Sequence, residues 1–107
     1  MAGSLGDLGG LLRQAQKMQR QVQELQEELA KRHFEGAAGG GAVRAIVTGS
    51  RELVGIKIQP DVVDPADVGM LEDLVAVAVR EALRRAEEES AAAMKKVTGG
   101  LGLPGLH

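Results

Sequence analysis

Between Leu8 and Leu29 the apolar residues return every three or four positions, and nothing else in the chain constrains its fold as strongly. Leu8, Ala15, Val22 and Leu29 are seven apart, and Leu11, Met18 and Leu25 fall between them. This is an a/d heptad seam, which predicts a helix that packs lengthwise on another helix. The intervening positions are mostly Gln, Arg, Lys and Glu, so the other faces are solvated. No Pro or Gly interrupts the run from Leu11 to Phe34. At 1.5 Å per residue such a helix is roughly 35 to 40 Å long, longer than a domain of this size is wide. It must protrude, and its apolar stripe needs a partner.

A core for such a chain has little to draw on. Its 107 residues support one domain over 1–107, with flexible tails expected at 1–7 and 99–107. Phe34 is the single aromatic residue, so a monomer would build its core from Leu, Val, Ile, Ala and Met. Association of two copies is the simplest remedy, and a homodimer is expected. Cysteine is absent, which excludes disulfides, thiolate zinc sites and thiol catalysis. No leader-like segment is evident and no apolar run approaches the ~20 residues that span a bilayer. A soluble, cytoplasmic protein with no membrane partner is the expectation.

Taken in order, residues 1–10 are Gly-rich and expected to fray, with Asp7 placed to cap a helix from about Leu8 to Arg32. His33 to Gln59 reads as strands. HFEGA is followed by the loop AAGGGA, and AVRAIVT places Val43, Ala45 and Val47 on one face. After the turn GSRE, LVGIKIQ places Val54, Ile56 and Ile58 together, giving an antiparallel meander with one buried face. The glycines at 39–41 lack the Lys-Ser/Thr and the helix of a phosphate loop, so a hairpin turn is expected there. PDVVDPAD is a linker in which Asp64 or Asp67 can cap a second helix, from about Ala66 to Val97. Its first half suits a sheet surface; its second half narrows to the seam Val79, Leu83, Ala86, Ser90, Ala93 and Val97. The arm-packing and dimer residues expected from the two seams are Leu11, Met18, Val22, Leu25, Val79 and Leu83. The fold class is α+β: long helix, three-stranded antiparallel sheet, long helix, with protruding arms.

The net charge of −2 is unevenly spread, near +1 over 1–33, +1 over 34–59 and −4 over 60–107. Antiparallel seams would gather Arg13, Lys17 and Arg20 with Lys95 and Lys96 at one distal tip, beside Gln14 and Thr98. Two readings of this tip stand open on the residues alone. The lysines complement a helix C-terminus and the others flank a coiled seam, or the set binds a polyanion. Catalysis has little support: His33 and His107 have no triad or metal-site neighbours, and the carboxylates lie on a helix that needs solvating charge. Neither cofactor, metal nor small-molecule substrate is expected.

GSLGDLGGLLRQAQKMQRQVQELQEELA, FEGAAGGGAVRAIVTGSRELVGIKIQPDVVD and DVGMLEDLVAVAVREALRRAEEESAAAMKKVTGGLGLPG together closely resemble the YbaB/EbfC family of nucleoid-associated proteins. RQAQKMQ, IKIQPDVVD, MLEDLV and GLGLPG are the most specific pieces, and essentially the whole chain is covered. The resemblance implies a tweezer-shaped homodimer that binds double-stranded DNA at the nucleoid through its helical arms. Carried onto matching positions, it implies DNA contacts at Arg13, Gln14, Lys17 and Arg20 and at Lys95, Lys96 and Thr98. The alternative is a coiled-arm dimer that grips a polypeptide in chaperone-like fashion, which predicts apolar tips and little salt sensitivity.

Overall fold

The computed structural model describes residues 2–99, with side chains described from Asp7 onward. Helix α1 (Ala2–Lys31) leads into strands β1 (His33–Ala38), β2 (Val43–Thr48) and β3 (Leu53–Ile58), a 3-10 turn at Pro60–Val62, and helix α2 (Val68–Gly99). The expected α+β order of helix, three-stranded antiparallel sheet and helix is what the chain adopts. Helix α1 starts ahead of the expected Leu8, so Asp7 lies within it and is not its cap. Gly9 and Gly10 are helical: an interior glycine weakens a helix by about 1 kcal/mol but does not stop it as proline does. The tail expected at 99–107 falls outside the described residues except for Gly99, which closes α2.

The sheet has the order β1-β2-β3, antiparallel throughout. Strict alternation buries Phe34, Gly36 and Ala38 of β1 and Val43, Ala45 and Val47 of β2 against the helices. The β1–β2 hairpin closes at Gly39–Gly41, where all three residues have positive φ, a conformation glycine adopts without a Cβ penalty. Strand β3 departs from its expected facing. A bulge opposite Ile46 and Val47 puts Leu53 across from Val47, while Ile56 and Ile58 lie across from Ala45 and Val43. The expected buried face does not form on β3, where Val54 and Ile58 are exposed and Ile56 is half-buried. One extra residue in a strand leaves the alternation on either side intact, so hydropathy alone does not mark it.

Helix α2 crosses β1 and β2. Its buried stripe is Ala78, Ala82 and Ala86, and these small side chains let the helix backbone settle directly on the sheet. At Gly36 a Cβ would overlap Ala78 O and Ala82 N. The end of α1 settles on the sheet in a similar way, with Leu29 buried and its carbonyl over Gly49. At the start of α2, Asp67 Oδ1 accepts the Met70 amide at 3.2 Å, which makes Asp67 the N-cap; Asp64 instead accepts the Ala66 amide at 2.9 Å within the preceding turn. Asp67→Ala should cost about 0.5 to 2 kcal/mol in urea unfolding, and Asp64→Ala should not shorten the helix. Equal losses of helical ellipticity for the two would show that the cap is misassigned.

The result is elongated, 79 by 24 by 16 Å, with a radius of gyration of 21.1 Å. A compact chain of this length would have about 13 Å. The excess is the arm formed by α1 and the second half of α2.

Candidate nucleic-acid interface

Helices α1 and α2 run antiparallel away from the sheet. Leu25 packs against the core together with Val79, Leu83 and Ala93. Val79 and Leu83, expected in arm or dimer packing, are partly buried against the core of their own chain. Farther out, Gln21, Glu24, Leu25 and Glu28 of α1 line one groove with Lys96 and Val97 of α2. This fixes the register of the helices: the described part of α2 ends beside Gln21–Leu25. Lys95 and Lys96 therefore do not meet Arg13 at a common tip. With 1.5 Å per residue, Arg13 lies about 12 to 18 Å farther along α1.

The expected basic residues divide into two groups. Arg13, Lys17 and Arg20 are spaced four and three apart, which stacks them on one face of α1, opposite the seam that receives α2. All three are exposed, as is Gln14. Lys95 and Lys96 are exposed on α2, but Lys96 looks across its groove toward Glu24 and Glu28, and a second groove places it with Glu89 and Arg32. Thr98 is half-buried and donates its hydroxyl proton to Met94 O at 3.1 Å, so toward a phosphate it has no free donor.

Ion pairing separates these cations from the structural ones. Arg84 donates to both Glu81 and Glu88, and Arg85 lies 3.5 Å from Glu81. The hydrogen bond from Arg84 holds the Glu81 carboxyl below its ordinary pKa, and the same contacts raise the already high pKa of Arg84. Arg44 pairs with Glu35 at 3.4 Å. Among the described residues, no carboxylate lies within 4 Å of the cationic groups of Arg13, Lys17, Arg20, Lys95 or Lys96. The same holds for Arg32, which directly follows the last residue of α1. Its place in the groove with Lys96 follows from the antiparallel register, which hydropathy does not specify.

Three cations on one exposed helix face, on the part of α1 that extends past the described end of α2, can contact a row of phosphates. The family agrees with that chemistry. A model described as the YbaB/EbfC DNA-binding family matches residues 5–101. The chain belongs to this family.

Relatives cover nearly the whole chain. A nucleoid-associated protein of Clostridium perfringens is 54% identical over 104 residues, spanning 97% of this chain and 93% of the relative. Another, of Clostridium acetobutylicum, is 52% identical over 101 residues, spanning 94% and 90%. The fold is also that of an uncharacterized Helicobacter pylori protein known from its crystal structure, with a TM-score of 0.66 at 23% identity, covering 85% of this chain and 92% of that one. Two further properties bear on the setting. Among the described residues no helix is long and apolar enough to cross a membrane, and no three His, Asp or Glu side chains converge as metal ligands.

Proposed function

We propose that this protein binds double-stranded DNA as a homodimer at the nucleoid, without enzymatic activity or cofactor, and contributes to chromosome organisation or gene regulation. The observation that carries the reading is the exposed row Arg13, Lys17 and Arg20, without an ion pair among the described residues, on an arm that extends past the described end of the acidic α2. Phosphate contacts by these residues would supply most of the affinity, and little of it would depend on base sequence. Membership of a DNA-binding family and the nucleoid-associated relatives support the same partner and location.

Support for the homodimer comes from the sheet and not from the helical seams. Strand β3 has one neighbour, β2, and α2 does not lie across it. Among the described residues its outer edge is unpaired, and Leu53, Val54 and Ile58 are 54%, 52% and 40% exposed. An apolar strand with a free edge invites pairing with another strand. Ile58→Lys should weaken the dimer at least about a hundredfold, because an unpaired charge would enter the interface. Sedimentation equilibrium reads this directly; an unchanged dimer would remove β3 from the interface.

Gel-shift titration on duplex DNA at several salt concentrations tests the DNA reading. The expected result is a steep linear fall of log affinity with log salt. A second reading, polypeptide capture by the arms, is favoured by the exposure of Leu8, Leu11 and Leu12 near their ends. It requires binding that hardly responds to salt, so one titration separates the two.

A further inference from the structure

Helix α1 carries apolar residues past the point where α2 stops covering them. Leu8, Leu11 and Leu12 are 60%, 60% and 61% exposed, and Ala15 is exposed as well. They prolong the stripe that receives α2 nearer the sheet, at Leu25 and the buried Leu29. The positions flanking this distal stripe hold Gln14, Gln19 and Gln21, while Arg13, Lys17 and Arg20 lie on the far side of the helix. Asp7 flanks the stripe at its outer end, so the stripe offers no positive charge that would draw in nucleic acid or an acidic peptide. In antiparallel pairing about Arg13 the Asp7 carboxylates of two copies would stand roughly 18 Å apart along the helix.

We infer that this distal stripe is a second self-association surface, on which α1 of another copy packs antiparallel. The a/d spacing is self-complementary about Arg13: Leu8 falls opposite Met18 of the other copy, and Leu11 opposite Ala15, large against small. The stripe already accepts a helix in this direction, since α2 lies antiparallel on its proximal half. Antiparallel pairing also separates the positive ends of the two helix dipoles. Contact through β3 joins two chains at the sheet; contact through the arms joins one such pair to the next. Because Arg13 and Lys17 point away from the stripe, linked arms keep their basic faces outward, and one assembly could hold two duplexes.

Sedimentation of the full chain without DNA tests this independently of the DNA reading. The full chain should grow beyond a dimer as concentration rises, and Leu11→Gln/Leu12→Gln should weaken that step at least tenfold while leaving the sheet-mediated dimer. Both side chains are exposed, so circular dichroism should show an unchanged fold. Ile58→Lys should still pair through its arms, and lose that pairing when the arm substitutions are added. Growth beyond the dimer that the arm substitutions do not affect, or a full chain that stays dimeric at all concentrations, would overturn the inference. So would a chain ending at Gly99 that self-associates more strongly than the full chain, since residues 100–107 would then cover the stripe. If instead Ile58→Lys changes nothing and the arm substitutions abolish all association, the sheet dimer fails and the arm contact stands. The chain has no cysteine of its own, so direction can be read from mixed Leu8→Cys and Met18→Cys chains. The mixed disulfide should exceed both symmetric ones; dominance of the symmetric products would exclude the antiparallel arrangement.

Discussion

Replacing Arg13, Lys17 and Arg20 together with alanine is expected to abolish most DNA binding while leaving the fold intact. The three side chains are exposed and form no ion pair within the described chain, so the folded state loses little with them. A dimer loses six charges. If each contacts a phosphate at about 0.9 per contact, the slope of log affinity against log salt drops by about 5. At ~150 mM salt the affinity should fall at least about a hundredfold, and equally for unrelated sequences, because phosphates carry no sequence. Lys95→Ala/Lys96→Ala should cost less. Lys96 faces Glu24 and Glu28 across its groove, so part of its field is already opposed. Arg44→Ala/Lys57→Ala on the sheet should matter least, since Arg44 is paired with Glu35. Gel shifts across a salt series rank the three variants. If the sheet pair abolishes binding and the arm triple leaves the slope unchanged, the arms are not the DNA surface.

Gly36→Ala is expected to have the largest effect on stability, at least about 3 kcal/mol, from a total of roughly 5 to 15 kcal/mol for a domain. The added methyl group would meet Ala78 O and Ala82 N, which are backbone atoms of α2 and cannot rotate aside as a side chain could. Relief requires lifting α2 from β1, which opens the core along Ala78, Ala82 and Ala86. Gly55→Ala is the matched control: it also lies in a strand, but nothing lies within 4 Å of its added Cβ. It should be neutral or gain up to about 1 kcal/mol by restricting the unfolded chain. Guanidinium unfolding of the two variants decides the matter. Similar midpoints would mean that α2 does not sit as closely on β1 as the structure places it.

The periodic elements were legible in the sequence because burial imposes periodicity. The 3-4 spacing from Leu8 to Leu29 marked α1, and Val43, Ala45 and Val47 marked the inner face of β2. What escaped was relative placement. The meeting point of α1 and α2 is set by where Ala82 settles on Gly36 and Leu29 on Gly49, and small residues leave a weak hydropathy signal. The shared tip of Arg13 and Lys96 therefore read as plausible and is not what the helix lengths produce. The bulge at β3 was invisible for a related reason: Leu53 and Val54 are both apolar, so either could have stood opposite Val47. The free face of β3 escaped because the coverage of a sheet by one helix depends on crossing angle, which the pattern of α2 does not encode. The family resemblance added the DNA partner but not this geometry.

The unequal reach of the two helices along the arm also sets a gradient of local stability along α1. Amides near Leu29 are held by the core and should exchange with solvent only when the whole domain opens. Around Arg13 the helix has no packed neighbour among the described residues, and Gly9 and Gly10 weaken it further, so its amides should exchange through local fraying. The basic row thus stands on the segment that opens most readily. A duplex that engages it must order that segment, which spends part of the contact energy and favours a binder that adapts to many sequences over one that locks onto a single site.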